Sequence, residues 1–308
     1  MRIELDMLGS VVAAPSCMPS PTPAARRDDP RTVEEKLADL RAVIQTYESV
    51  VVAFSAGADS TLVAKVASDV LGERALAVTS ASESLAEREL QEALAYAESL
   101  NINHRVIYTN ELQNPDYLAN PIDRCYHCKT ELYDHLVALA EDEGYRTVAN
   151  GLNVDDLGDY RPGLKAANEH DVRAPLQEAG LTKPDVRAIS KLLDVPTWDK
   201  PAMACLSSRV PYGESITPEK LRQIDHAEQA LRDLGYRQLR VRHHGQVARI
   251  ELPTETLATF VAEHAAVATE RLKKLGFLYV TLDLQGFRSG SMNEVLAKSV
   301  MTRPNAGQ

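Results

Sequence analysis

The sequence predicts an α/β fold, a doubly wound parallel sheet followed by a smaller C-terminal α+β domain, and three observations predict it. Residues 50–54 (VVVAF) and 75–78 (ALAV) are short, unbroken apolar runs, the pattern of strands covered on both faces. Stretches of helical spacing alternate with such runs, as repeated β-α units require. After Pro211-Tyr212-Gly213 the alternation gives way to a helix, two short paired strands, a second helix and a last strand.

Taken in order, residues 1–30 mix small residues with Pro15, Pro19, Pro21, Pro23 and Pro30 and show no periodicity, which reads as a mobile tail holding Cys17. Glu4, Asp6, Asp28 and Asp29 argue against a transit peptide, which avoids acid. Thr32 followed by Glu35 spells a capping box, and Val33, Leu37, Leu40 and Ile44 continue it as a helix over 33–46. The strand over 50–54 runs into residues 55–60 (SAGADS), after which Leu62, Val63, Val66, Ala67 and Val70 mark one helix face. Residues 85–100 read as an amphipathic helix, 105–108 and 147–149 as strands, and 129–142 as the helix between them. Thr217-Pro218-Glu219 opens a helix to Leu234 with proline in its first turn. Residues 239–243 and 247–251 flank His244-Gly245 as a β-hairpin, and a helix over 255–274 and a strand over 278–284 complete the set. The predicted division is a tail (1–30), an α/β domain (31–213) and an α+β domain (214–308).

Composition excludes several classes of function. The chain has 308 residues, with 34 Lys+Arg against 44 Asp+Glu and a formal charge of −10. Binding that draws on Lys/Arg displacing phosphate counterions is therefore not expected, so no nucleic-acid partner is predicted. No apolar run approaches the roughly 18 residues of a membrane span. Four cysteines, Cys17, Cys125, Cys128 and Cys205, are too few for a disulfide scaffold, and no secretory signal pattern opens the chain. A cytoplasmic location is expected, where thiols serve as ligands or nucleophiles.

A strand, a tight small-residue turn and a helix present unpaired backbone N–H groups and a positive helix end to an anion. Residues 55–60 are such a turn, although an ordinary β-to-α connection also needs small residues. No G-x-x-x-x-G-K-[ST] occurs in the chain, so this is not a Walker A loop. Residues 151–156 (GLNVDD) fall at another strand end, where a doubly wound sheet gathers its ligands. Carboxylates beside a bound phosphate can hold Mg²⁺, and a solvated helix start would account for Asp155 and Asp156 as well.

The turn SxGxDS resembles the PP-loop of the ATP pyrophosphatases, usually SGGxDS, with Ala56 standing where that superfamily has glycine. Five further segments, residues 121–129 (PIDRCYHCK), 151–163 (GLNVDDLGDYRPG), 200–213 (KPAMACLSSRVPYG), 241–251 (VRHHGQVARIE) and 286–294 (GFRSGSMNE), are similar in order and content to the LarE family. These are ATP-dependent sulfur transferases of nickel-pincer nucleotide synthesis. The likeness covers residues 35–295 and implies a PP-loop ATP pyrophosphatase fold. It also implies adenylation, with ATP and Mg²⁺, of the carboxylates of pyridinium-3,5-biscarboxylic acid mononucleotide, followed by their conversion to thiocarboxylates. Carried over by residue, Ser55, Gly57, Asp59 and Ser60 would cradle pyrophosphate, and Asn153 and Asp156 would lie near ATP or Mg²⁺. Cys205 would bear the sulfur, and Arg209, Arg240, Arg242 and Glu251 would line the substrate pocket. A homo-oligomer is implied as well. Guanidinium groups suit that pocket because they hold phosphate and carboxylate through paired contacts. On the residues alone, Arg240 and Arg242 could simply face water, and Cys205 could be a small buried apolar residue.

The cysteines separate two routes of sulfur delivery. One uses a single sacrificial thiolate and leaves dehydroalanine. The other uses Cys125, Cys128 and Cys205 as ligands of a [4Fe-4S] cluster whose fourth iron carries an exogenous sulfide. A zinc site completed by His127 or His135, or a redox-active C-x-x-C, are further readings. Other enzyme classes stay open too: a PP-loop transferase acting on tRNA, or a nucleotide-binding protein without catalysis.

Overall fold

Alternation of side chains along each strand decides which face of the main sheet they serve, and here both faces are apolar. The computed structural model describes residues 29–158, 162–201, 204–288 and 291. The predicted tail up to residue 28, with Cys17, lies outside them, as do parts of the motifs at 151–163, 200–213 and 286–294. The described residues from Thr32 onward form one compact unit.

In chain order the unit begins with α1 (Val33–Gln45), β1 (Val50–Ala53), α2 (Ala58–Leu71), β2 (Ala75–Ala81), α3 (Glu87–Ser99), β3 (His104–Tyr108), α4 (Pro115–Leu118) and α5 (Arg124–Glu143). There follow β4 (Thr147–Ala149), α6 (Pro162–Glu169), α7 (Pro175–Glu178) and α8 (Lys183–Leu192). The last part holds α9 (Pro218–Arg232), β5 (Arg240–His244), β6 (Val247–Glu251), α10 (Leu257–Thr259), α11 (Ala265–Lys274) and β7 (Tyr279–Leu282).

The predicted capping box is present: Glu35 N–H donates to Thr32 Oγ1 at 3.2 Å, and Thr32 N–H donates to Glu35 Oε2 at 2.7 Å. Strands β3-β2-β1-β4 form a four-stranded parallel sheet in that order. Val50, Val52 and Ala77 pack with α1, α2 and α8 on one face, while Val51, Leu76 and Val78 meet Tyr133, Leu136 and Ala140 of α5 on the other. That two-sided burial is the doubly wound architecture expected.

Strands β5 and β6 pair antiparallel, as predicted, and β7 joins β6 in parallel. Their apolar side chains form a separate core with α9 and α11. A further cluster of Tyr117, Leu206, Val210, Ile216, Leu221 and Ile224 draws on both sides of residue 213, where the sequence suggests that a second domain begins.

Two elements differ from the sequence reading. Helix α5 starts at Arg124 rather than 129, so Cys125 and Cys128 lie in its first turns instead of in a preceding loop. The stretch RCYHCK has no apolar periodicity to mark a helix; a turn in which Arg124 N–H donates to Pro121 O at 3.0 Å starts it. The single helix expected over 255–274 is divided into a 3-10 turn, α10, a π-helical turn (Phe260–His264) and α11. Among the described residues no helix is long and apolar enough to cross a membrane.

Candidate active site

Strand β1 delivers the chain into residues 55–60 at the carboxyl edge of the sheet, and Gly57 is the N-cap of α2 with no side-chain cap of its own. The N–H groups of the first helical turn lack partners within a helix, which makes this end a seat for an anion. Ser55 and Ser60 stitch the turn together: their hydroxyls are 3.1 Å apart, and Ser55 N–H donates to Ser60 Oγ at 3.3 Å. Ala56 has φ +55°, the left-handed region that glycine enters freely and that costs an L-residue roughly 1–2 kcal/mol. Its methyl is fully buried in the main core and so points away from the open side of the turn.

The loop after β4 closes on this turn. A Cβ on Gly151 would stand 2.8 Å from Ser60 N and 3.0 Å from Ser60 Cα, so only glycine allows the approach. Asn153 Nδ2 then donates to Asp59 Oδ1 at 2.9 Å, Asn153 N–H to Asp156 Oδ2 at 3.2 Å, and Lys183 Nζ pairs with Asp156 Oδ1 at 3.0 Å. Burial raises Asp59 above the usual carboxylate range; Asn153 opposes this and nearby Asp156 adds to it. The structure thus joins three of the predicted nucleotide residues, Asp59, Asn153 and Asp156, in one network beside the Ser55–Ser60 pair. A buried carboxylate, Asp156, and a half-buried one, Asp59, in each other's field are a donor set that fits Mg²⁺, which takes few protein ligands and keeps its waters.

The three thiols of the described chain lie near one another. Cys125 is exposed, while Cys128 and Cys205 are half-buried. Loss of hydration, then the field of Cys205, raises the Cys125 thiol. Burial and the neighbouring Glu111 push Cys128 up to about 12, against the pull of Lys129. Among the described residues no three His, Cys, Asp or Glu side chains are grouped to hold a metal ion. Arg124 and Lys129 lie beside the thiols, and both feel Cys125 and Cys205. Three thiols with two adjacent cations suit, as a donor set, an anionic iron–sulfur cluster bound at three corners.

Cys205 precedes the 3-10 turn Leu206–Arg209, and buried arginines hold that segment. Fully buried Arg209 donates through Nη1 to the carbonyls of Ala204 and Cys205, the latter at 2.8 Å. Its Nε and Nη2 form a two-point pair with Glu228 at 2.8 and 3.0 Å. Arg242 Nη1 donates to Ser208 O at 3.0 Å, and its Nη2 to Glu251 Oε2 at 2.8 Å and Ser291 Oγ at 2.9 Å. Burial alone would raise Glu228, but Arg209, Arg232 and Arg240 outweigh it and hold its carboxyl below the ordinary range. Arg240, stacked 5.1 Å over the Phe287 ring, is pushed down to about 10 by burial and by Arg209. Arg240 and Arg242 are therefore buried and do not face water. Arg242 Nε is buried without a hydrogen-bond partner among the described residues, a donor left over for an anion.

Several site residues were not singled out from sequence. Lys200 Nζ donates to the Ala56 carbonyl at 2.9 Å across 144 positions of chain. Asn120, at φ +51°, donates through Nδ2 to the carbonyls of Val210, Pro211 and Glu214 and accepts from Arg124, which also donates to Ser207 O at 3.1 Å. This clasp ties the start of α5 to the Cys205 segment. The only local signals were an Asn suited to a left-handed turn and a Gly opening the 151–156 loop.

The chain matches the family described as NAD synthase over residues 32–115. An uncharacterized protein of Synechocystis is 51% identical over 267 residues, covering 86% of this chain and 100% of that protein. A pyridinium-3,5-bisthiocarboxylic acid mononucleotide synthase of Lactiplantibacillus plantarum is 42% identical over 269 residues, 87% of this chain and 97% of that one. Among solved structures, NMN synthetase from Francisella tularensis aligns with a TM-score of 0.47 and 23% identity, over 56% of this chain and 76% of that chain.

Proposed function

This chain belongs to the LarE family, that of the pyridinium-3,5-bisthiocarboxylic acid mononucleotide synthases, and on that premise we propose that it converts the carboxylates of pyridinium-3,5-biscarboxylic acid mononucleotide to thiocarboxylates. A substrate carboxylate oxygen attacks the α-phosphorus of ATP, pyrophosphate leaves, and an acyl adenylate forms. A sulfur nucleophile then attacks the acyl carbon and expels AMP. The observation that carries this reading is the setting of Cys205. Its main-chain carbonyl is held by Arg209, part of the buried arginine–glutamate cluster, and Lys200, five residues upstream, reaches the turn at 55–60.

In this reading Ser55, Gly57, Asp59 and Ser60 hold the pyrophosphate portion of ATP, and Asn153 and Asp156 serve ATP and Mg²⁺. Arg240, Arg242 and Glu251 bind and orient the anionic substrate, while Arg209 fixes the segment that carries Cys205. Cys125, Cys128 and Cys205 would hold a [4Fe-4S] cluster, which when bound supplies an open iron for exogenous sulfide. The donor set of three thiols, with the cations Arg124 and Lys129 beside it, supports that route over a sacrificial Cys205.

The test is AMP and pyrophosphate formation with ATP and the biscarboxylate nucleotide. Formation that depends on this substrate supports the reading. Absence of AMP, or stimulation by tRNA alone, overturns it. For sulfur delivery, anaerobically purified protein should contain iron and acid-labile sulfide. Protein without iron, together with a product peptide in which Cys205 is lighter by one H₂S, would establish the sacrificial route.

A further inference from the structure

The turn at 55–60 has a charge problem that its own residues do not solve. SAGADS contains no cation and one carboxylate, and the chain lacks the lysine of a Walker A loop. Backbone N–H groups at the start of α2 can seat one phosphate group. A triphosphate brings further negative charge that needs a cation close by.

Lys200 supplies one. Its Nζ is bonded to the Ala56 carbonyl at 2.9 Å, inside the turn itself, and paired with Glu92 Oε2 at 2.8 Å. It lies 5.1 Å over the Tyr96 ring, and its side chain is 11% exposed. The ammonium is thus largely out of water and held by α3, which strengthens its attraction for an added anion. Glu92 is shared with Arg88 Nε at 2.7 Å, so Glu92 is not neutralised by Lys200 alone. The other ammonium beside the loops, Lys183, is engaged with Asp156. Of the two polar partners of Lys200 among the described residues, the Ala56 carbonyl is neutral and is the one a phosphoryl oxygen can replace.

We propose that Lys200 is the cation that reads the β- and γ-phosphates of ATP, exchanging the Ala56 carbonyl for a phosphoryl oxygen while keeping Glu92. This rests on the ATP-dependent reading above. AMP, which lacks those phosphates, gains nothing from Lys200.

The test measures, by calorimetry in Mg²⁺, the affinity of the full chain for α,β-methylene-ATP, which resists cleavage, and for AMP. Lys200→Met should weaken the ATP analogue by about tenfold or more, the scale of a charge-assisted hydrogen bond, and leave AMP within about twofold. Lys200→Arg should recover most of the loss. Glu92→Gln, which removes the competing carboxylate, should tighten the ATP analogue and leave AMP unchanged, a direction that a merely structural role would not give. Equal loss of both nucleotides in Lys200→Met, or no loss of either, overturns the assignment to Lys200. Failure of the wild-type protein to bind the ATP analogue overturns the nucleotide reading itself.

Discussion

Gly151→Ala tests whether the loop after β4 must touch the phosphate turn. The added Cβ would lie 2.8 Å from Ser60 N, 3.0 Å from Ser60 Cα and 3.1 Å from Asp59 C. All three are backbone atoms at the start of a helix, so none can swing aside. Ordinary contact begins at 3.4 Å, and the loop has to recede by about half an ångström. Overpacking of this kind costs about 1–3 kcal/mol, at about 2–4 °C of Tm per kcal/mol. The retreat also stretches the 2.9 Å bond from Asn153 to Asp59, so ATP-analogue affinity should fall along with Tm. Gly57→Ala is the contrast. Gly57 has φ −79°, and a Cβ there meets only Ser55 Oγ at 3.5 Å. The empty protein should keep or slightly raise its Tm, while affinity falls because the methyl stands where a phosphate approaches. Thermal unfolding and calorimetry on both variants decide it. An unchanged Tm and affinity in Gly151→Ala, or a destabilised Gly57→Ala, would refute the reasoning.

Ala56→Gly should leave Tm nearly unchanged in a melt: relief of roughly 1–2 kcal/mol of left-handed strain is offset by the lost buried methyl, about 0.8 kcal/mol, and by added freedom of the unfolded chain, about 0.4–1 kcal/mol. A shift of more than about 2 kcal/mol either way would contradict that balance. Glu228→Ala should cost about 3–5 kcal/mol in urea unfolding, because it leaves Arg209 buried without its partner and Val241 N–H without its acceptor; a loss below about 1 kcal/mol would show that the pair is not structural. Burial lowers His104, His243 and His244; at His170 burial pulls the same way, but the bonds to the Ala166 carbonyl and to Asp134 outweigh it and raise that imidazole. The three lowered histidines take up protons in the unfolded chain before they do so in the folded one. Stability from them should therefore be lost as pH falls below about 6.5, and urea midpoints that stay flat or rise from pH 7.5 to 5.5 would refute this.

What local pattern encodes was legible. The capping box at Thr32 and Glu35, the strand runs at 50–54 and 75–78, and the hairpin around His244-Gly245 each depend on neighbours within a few residues. The strand–turn–helix arrangement around residues 55–60 was legible for the same reason. That Ala56 stands where the resembling loops have glycine was legible too, but its left-handed φ and the inward direction of its methyl were not, since these depend on how the turn and α2 pack. Long-range pairings left no such trace. Nothing near Lys200 points to Ala56, and nothing near Arg209 marks Glu228 as its partner rather than any other acid on α9. Arg240 and Arg242 alternate along β5 in a way that suits a wet face equally well. Only the packing of α9 and the Cys205 segment over that strand buries them.

The bonding around Cys205 limits how its sulfur can travel. The carbonyl of residue 205 is held by Arg209, and the next N–H, that of Leu206, donates to Ser84 O at 2.9 Å. With the main chain pinned on that side, the sulfur is left with rotation about one bond, among three staggered positions. It sweeps a short arc and cannot extend as a long side chain or a mobile loop could. Under the proposed function, whatever reacts beside this thiol has to be brought onto that arc, because the cysteine stays where its main chain holds it.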